Sequence, residues 1–438
     1  VGVFETIVAC ITGPAWGSGA IAGVRVSGPE AHRVGRAVFP SVPLEPQPRL
    51  ALYGTFAHGD DGLALPFEGS FSYTGEPAIE FFVHGSPASV QLLIEACLAS
   101  GAREAEPGEF TLRAFLNGKL DLTQAEAVAD LVSAQTESQL RAAQSQRRGA
   151  LARDVLAARV PLMEVIVALE AWLDFSEEIG ELDAGVLASE LHASIQQLVA
   201  ISGQAAASEV VRHGVRVALV GAPNVGKSTL LNRLLGSERA IVTDVPGTTR
   251  DIVEATIELG GILFRLQDTA GLRETEDRVE RIGIERTRMA ADQADLTLYL
   301  YEEASDELES WRRRPRTLAV RTKLDLGRPE SDDLAISAHT GAGIDALLGW
   351  LKAQAPNARP PFLLNARHLA LLAEAEREIT LGLAALCADQ PAEVTLAPLR
   401  AAERAMRQIV GAADPSLPGE GLNPDLIHAI FSRFCIGK

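Results

Sequence analysis

No stretch of this 438-residue sequence joins the roughly 18 to 20 apolar residues that a bilayer span requires, and its N-terminus lacks the basic-then-apolar layout of a secretory leader. Both absences predict a chain that stays in the cytoplasm and has no membrane partner. Cysteine is scarce. Cys10, Cys97, Cys387 and Cys435 lie far apart and form no Cys-x-x-Cys pair, so neither a zinc site nor a disulfide framework is signalled, and a reducing compartment fits. Positive charge is short as well: 40 Lys and Arg face 58 Asp and Glu, a formal charge of −18. That balance argues against coating nucleic acid non-specifically, because phosphate backbones are held by Lys and Arg clusters. Any RNA contact is therefore local or shared with a partner. What the chain does have is 47% apolar residues with 22% charged, ordinary for a folded protein, and a length that exceeds what one core organises. Two or three domains are expected.

From Val3 to about Arg113, short alternating apolar stretches such as Ala20 to Val26 and Ala78 to Val83 are separated by Gly, Pro and Asp and read as strands. One helix, about Ser89 to Ala99, interrupts them, which makes an α+β domain. After Gly118 the texture turns to Ala, Leu, Gln and Glu at helical spacing, as in Leu122, Ala125, Val128, Ala129 and Val132, and long helices follow to about Ala207. Strand signals return at Val215 to Val220 and alternate with helices until about Ala355, an α/β unit. A second helical block runs from about Ala366 to Val410. The boundaries drawn are 1–117, 118–210, 211–356 and 357–438. An α/β domain inserted into one helical domain is the economical architecture; two unrelated helical domains give the same pattern.

The α/β unit carries the chemistry. Gly221 to Ser228, GAPNVGKS, matches the phosphate-binding loop pattern and has an apolar strand before it and a helical run after it. Its glycines let backbone N–H groups turn toward phosphates, Lys227 brings a point charge to them, and Ser228 offers an oxygen to magnesium. Asn224, Val225, Gly226 and Thr229 complete this part of the site. Asp268-Thr269-Ala270-Gly271 follows an apolar strand and places a carboxylate facing the metal and a glycine N–H facing a γ-phosphate. Thr322-Lys323-Leu324-Asp325 places a carboxylate where it can accept from the guanine N1–H and exocyclic amine, a donor pair that adenine lacks. Ser337-Ala338-His339 completes the base pocket. The motifs thus point to GTP and GDP, although Thr322 stands where GTPases usually carry Asn.

The residue after Gly271 is Leu272, and an apolar side chain cannot orient an attacking water as the Gln of Ras-type switches does. Two segments hold candidates for that work. In Thr243-Asp244-Val245-Pro246-Gly247-Thr248-Thr249-Arg250-Asp251, hydroxyls and carbonyls can hold magnesium and a monovalent cation beside the phosphates, with Asn224 completing the cation's shell. Arg273 to Glu285 is rich in carboxylates, which otherwise read as a solvated helix face.

Together with the segment Pro107 to Asp121, PGEFTLRAFLNGKLD, and the terminal Phe434-Cys435-Ile436-Gly437-Lys438, these motifs resemble over essentially the whole chain the tRNA modification GTPase family MnmE, also called TrmE. The resemblance implies a multidomain α/β protein: an N-terminal α+β domain that dimerises and binds a reduced folate, 5-formyl- or methylene-tetrahydrofolate, and an all-α helical domain carrying an inserted Ras-like G domain. It implies potassium at Asn224, Thr243, Val245 and Thr248, magnesium at Ser228 and Thr249, and Glu280 as the catalytic carboxylate that orients water, so that Leu272 is expected. Folate falls to Arg25, Glu80, Lys119 and Lys438; an amidine-like pterin edge suits Glu80, and cations suit the anionic tail.

The resemblance also gives Cys435 a catalytic role near the modification chemistry, where a lone Cys near a chain end would otherwise read as a small buried group. Cys10, Cys97 and Cys387 are assigned to packing, and the basic run Arg312-Arg313-Arg314 to a solvated face of the G domain rather than to an RNA contact. The implied activity is modification of carbon 5 of the wobble uridine of certain tRNAs with an aminomethyl-type or carboxymethylaminomethyl group, together with the FAD-binding partner MnmG. GTP hydrolysis would drive a conformational cycle. The rivals are a ribosome-assembly switch, for which the helical blocks show no Gly-x-x-Gly loop of the RNA-binding kind, and a folate-dependent transferase with an inactive GTPase domain, which the complete motif set opposes.

Overall fold

The computed structural model describes residues 5–12, 19–236, 254–268, 289–326, 333–355, 359–411, 424–432, 434, 436 and 437. The chain divides into two compact units, one made of Val1–Val132, Gln146–Ile201 and Arg367–Lys438, the other of Ser133–Ser145 and Ser202–Ala366. Among the described residues no helix is long and apolar enough to cross a membrane.

The first unit opens with a six-stranded sheet of β1 (Ile7–Cys10), β2 (Ile21–Ser27), β3 (Leu52–Thr55), β4 (Asp61–Phe67), β5 (Ala78–His84) and β6 (Arg103–Glu104) in the order β3-β4-β5-β2-β1-β6. All pairs are antiparallel except β1 with β6. The register sets Arg25 opposite both Ala9 and Glu80. Helices α1 (Ala31–Val38) and α2 (Pro87–Ala99) close a core of Val24, Val26, Ile79, Phe81 and Leu93. Ser86 caps α2, its hydroxyl accepting from Ser89 N at 3.1 Å, and Pro87 supplies a preset first turn. The single helix expected in this region is joined by α1 and by α3 (Glu109–Leu116), both of eight residues. Such short helices form by docking an apolar face, which a scan for extended periodicity misses.

The helices of this unit are α4 (Leu122–Ser133), the end of α5 (Glu137–Arg147), α6 (Ala150–Ile179), α7 (Ala184–Ser202), α12 (Ala366–Cys387), α13 (Ala392–Val410) and α14 (Pro424–Phe431). Segments from both sides of the second unit build one bundle: Arg159 of α6 meets Glu403 of α13 with Nε to Oε1 at 2.8 Å, and Glu126 of α4 takes both Arg367 and His368 of α12. Gly382 lies where a Cβ would stand 2.4 Å from Leu399 Cδ2, so α12 and α13 approach there because the side chain is missing.

The second unit is a six-stranded sheet of β7 (Val215–Gly221), β8 (Glu254–Leu259), β9 (Ile262–Asp268), β10 (Leu296–Tyr301), β11 (Thr317–Arg321) and β12 (Leu334–Ala335), ordered β12-β11-β10-β7-β9-β8. It is parallel apart from β8 with β9, the arrangement of a Ras-like G domain. Strand β10 is buried along its whole length, as a parallel strand covered on both faces should be. Helices α8 (Ala205–His213), α9 (Lys227–Leu235), α10 (Asp306–Arg312) and α11 (Ile344–Gln354) accompany it. The unit also takes in most of α5, where Gln139 Nε2 donates to Val211 O at 3.0 Å and Ala142 packs with Val211 and Leu363.

Candidate functional site

The loop between β7 and α9 is shaped by three unusual backbone positions. Gly221 has φ 148°, and a Cβ there would stand 2.2 Å from Leu300 O on β10. Asn224 at φ 62° and Gly226 at φ 104° turn the chain into the first residue of α9, Lys227. Gly226 caps α9 without a side-chain acceptor, and the N-terminus of a nine-residue helix favours an anion. Lys227 is 5% exposed, and its ammonium donates to Gly221 O at 2.7 Å and Ala222 O at 2.8 Å, curled over the loop. A phosphate at the loop would meet this ammonium with a charge-assisted hydrogen bond. Ser228 follows on the first turn of α9.

The base-side residues come from the loops after β11 and β12. Thr322 is buried, and its hydroxyl donates to Tyr301 O at 3.3 Å, tying the loop to the end of β10. Lys323 adopts φ 58°, and Leu324–Leu326 forms one tight 3-10 turn presenting Asp325. Leu324 N donates to Ile336 O at 3.0 Å and so fastens this turn to the loop containing Ser337, Ala338 and His339. The Asp325 carboxyl is held below the usual carboxylate range by the Ser337 hydroxyl first, then by backbone N–H, with His339 adding to it. Asp325 thus stands exposed and ionised, with acceptor capacity beyond these contacts. Asn224, Val225, Gly226 and Thr229 share one cleft with Thr322, Lys323, Asp325, Ala338 and His339. A larger hollow lies at the opposite ends of the parallel strands, lined by Leu296, Thr297 and Thr317, and contains none of the motif residues.

Asp268 is the last residue of β9, in register with Leu219 two positions before the loop glycine of β7; its side chain lies outside the described residues. So do Thr243, Asp244, Val245, Pro246, Gly247, Thr248 and Thr249, as well as Thr269, Ala270, Gly271 and Glu280.

In the first unit, Arg25 Nε and Nη2 both donate to Glu80 Oε1 at 2.8 Å, a pair set by strand register and only 13% and 16% exposed. The guanidinium lies 4.7 Å from the Tyr73 ring centroid and 5.3 Å from that of Phe110. Burial raises the Tyr73 phenol pKa, and its hydroxyl meets Thr111 Oγ1 at 2.9 Å. Arg25 thus sits in an aromatic setting. The Lys119 ammonium donates to Ser70 O, between β4 and β5. Lys438 and Cys435 lie outside the described residues.

Sequence reasoning treated Pro107 to Asp121 as one recognisable segment without assigning work to most of it. Arg113 is 1% exposed and donates to Glu109 Oε1 at 2.8 Å, Glu76 Oε2 at 3.1 Å and Glu5 O at 2.8 Å. Desolvation alone would raise the Glu109 carboxyl, but hydrogen bonds from Arg103 lead a set of contacts that bring it down to about 2. Asn117 Nδ2 donates to Thr74 O at 2.8 Å, and Asp121 Oδ1 accepts from Gln124 N at 2.8 Å as the cap of α4. Gly108, at φ 70°, would place a Cβ 2.5 Å from Phe431 O, so α14 rests directly on the segment. Phe431 and Phe434 complete a cluster with Phe115 and Leu122, and Gly437 would place a Cβ 2.1 Å from Cys10 O. The described terminal residues therefore dock beside β1 and α3. Of the cysteines assigned to packing, Cys97 is buried, its thiol pushed up to about 12, and Cys10 is partly exposed. Cys387 is exposed, which corrects its assignment: it ends α12, beyond the last buried residue of that helix, Gly382.

A family model described as the MnmE helical domain matches residues 122–435, and one described as the GTP-binding protein TrmE N-terminus matches residues 6–119. The protein of Nitrosospira multiformis named tRNA modification GTPase MnmE is 40% identical over 464 aligned positions, covering 99% of this chain and 99% of that protein. The protein of the same name from Azoarcus sp. is 42% identical over 459 positions, covering 99% of this chain and 98% of its own length.

Proposed function

The chain belongs to the MnmE family of tRNA modification GTPases, and on that premise we propose that it is a potassium-stimulated GTPase that, with the FAD-binding partner MnmG, adds a carboxymethylaminomethyl or aminomethyl group to carbon 5 of the wobble uridine of certain tRNAs. The observation that carries the GTPase half is the single cleft joining the glycine loop, with its buried Lys227, to the exposed carboxylate of Asp325. A triphosphate at the loop and a guanine at Asp325 satisfy both ends at once. A base without the paired N–H donors does not use the remaining acceptor capacity of that carboxylate.

In this reading Lys227 and the first-turn N–H groups of α9 bind phosphate oxygens, and Ser228 with Thr249 would hold magnesium, which when bound would supply positive charge against that developing at the γ-phosphate. Asp268 would act toward the metal, and Glu280 would orient the attacking water. Asn224, Thr243, Val245 and Thr248 would hold potassium, which would supply positive charge in the role of an arginine finger. The first unit serves as dimerisation and folate domain, with Arg25, Glu80, Lys119 and Lys438 holding the reduced folate and Cys435 acting near the uridine. The location of this activity is the cytoplasm.

Mass spectrometry of nucleosides from tRNA of cells lacking the protein, set against cells expressing it, tests the assignment. Loss and restoration of the 5-substituted wobble uridine is the expected result. Unchanged nucleosides with altered ribosome profiles would reject it in favour of an assembly switch.

A further inference from the structure

Lys323 stands two positions before Asp325 on a tight turn, and both line the nucleotide cleft. An ammonium on a flexible four-carbon stem beside an exposed carboxylate tends to close an ion pair with it. A carboxylate so occupied is lost as an acceptor for two N–H donors of a base. Here the ammonium is held elsewhere. Glu302, the first residue beyond β10, forms an ion pair with Lys323 Nζ. The sheet makes this pairing possible: β10 and β11 are parallel neighbours with Tyr301 opposite Arg321, so the chain segments carrying Glu302 and Lys323 leave the sheet side by side. Both partners are partly shielded, the lysine side chain 35% exposed and the glutamate 26%. The contacts that hold the Asp325 carboxyl low come from Ser337, backbone N–H and His339, with Lys323 absent from them.

We propose that Glu302 is a positioning residue for nucleotide selection: by holding the Lys323 ammonium it keeps the Asp325 carboxylate open to the donor edge of guanine and lays the Lys323 methylene stem along the cleft. The proposal rests on the guanine-nucleotide reading of this cleft and adds to it a residue outside the sequence motifs. Glu302 touches no nucleotide in this scheme; it acts through Lys323. Its contribution is that of a partly exposed ion pair, which corresponds to a change of about three- to fivefold in affinity.

The test uses the full chain, with fluorescent GDP and ADP analogues for affinity and steady-state GTP hydrolysis for KM and kcat. Wild-type protein that does not favour the guanine analogue overturns the reading of the cleft and the proposal with it. With that preference present, Glu302→Gln is expected to weaken the GDP analogue about three- to fivefold, to raise KM rather than lower kcat, and to leave the ADP analogue unchanged. Glu302→Asp should recover most of the loss. In a Lys323→Met background, which keeps an apolar stem and removes the ammonium, Glu302→Gln should cost nothing further, and this double variant keeps the question answerable if the single one fails to fold. Wild-type GDP affinity in Glu302→Gln, equal loss toward both nucleotides, or the same loss in the Lys323→Met background would overturn the proposal.

Discussion

Replacing Glu126 by glutamine should destabilise the first unit by about 3 kcal/mol at neutral pH without touching the nucleotide cleft. Glu126 lies on α4 and takes Arg367 Nη2 at 2.7 Å, Arg367 Nε at 3.0 Å and His368 Nε2 at 2.7 Å, both partners standing at the start of α12. His368 is fully buried, and the carboxylate is 10% exposed. Burial pushes the Glu126 carboxyl up, but hydrogen bonding and charge from His368 and then Arg367 outweigh it and bring the pKa from the ordinary 4.5 to about 2. At about 1.4 kcal/mol for each tenfold change, that difference corresponds to about 3 kcal/mol. Because the folded pKa is depressed, the stabilisation is fully present above the unfolded value near 4.5 and is lost as pH falls toward about 2. The same linkage leaves about 2 kcal/mol near pH 3.5. Glutamine keeps the shape but not the charge, and leaves the Arg367 guanidinium with the carbonyls of Gln408 and Ile409.

Calorimetry of the full chain with and without the substitution is the assay, supplemented by urea unfolding across pH. A fall of roughly 6 to 12 °C in the transition of the first unit is expected at pH 7, with a smaller gap at pH 3.5. A gap under about 1 kcal/mol at pH 7, or one that does not narrow between pH 5 and pH 3.5, would refute the reasoning.

Three further perturbations follow from the geometry. Asp325→Asn replaces an acceptor-only carboxylate by an amide and should weaken guanine nucleotides about 100-fold, measured with a fluorescent GDP analogue; affinity within threefold of wild type would remove Asp325 from the base pocket. Asp268→Ala should abolish GTP turnover while leaving folate binding in the first unit largely intact, and equal loss of both in the folded variant would contradict that separation. Gly108→Ala puts a Cβ 2.5 Å from Phe431 O at a position with φ 70°, so it should loosen α14 and cost about 1 to 3 kcal/mol. Protease sensitivity of the C-terminal segment measures it, and wild-type resistance would count against the docking described.

The nucleotide loop was legible because its chemistry is contiguous: a strand, glycines at the turn, Lys227 and a helix start all fall between Val215 and Leu235. Asp325 was legible for a related reason, its Thr322 to Asp325 motif following directly on the apolar strand that ends at Arg321. The short helices α1 and α3 were not, since eight residues carry too few turns for a period to stand out from the strands around them. The aromatic setting of Arg25 was equally hidden, because Tyr73 and Phe110 reach it from opposite sides of β5 in sequence.

What the amino-acid sequence determined by itself was therefore local: where strands, turns and helices carry phosphate-binding and base-reading groups, and which family the chain resembles. Tertiary structure decided the partners. Arg25 meets Glu80 across 55 positions because β2 and β5 pair in one register, and a slip of one residue would send the two side chains to opposite faces. Glu126 meets His368 across 242 positions because helices from before and after the second unit close a single bundle, and Glu302 reaches Lys323 because β10 and β11 are neighbours. A side chain's type is written in the sequence, but the group that compensates its charge is fixed only when distant segments pack, since the cost of leaving a buried charge unpaired selects that packing.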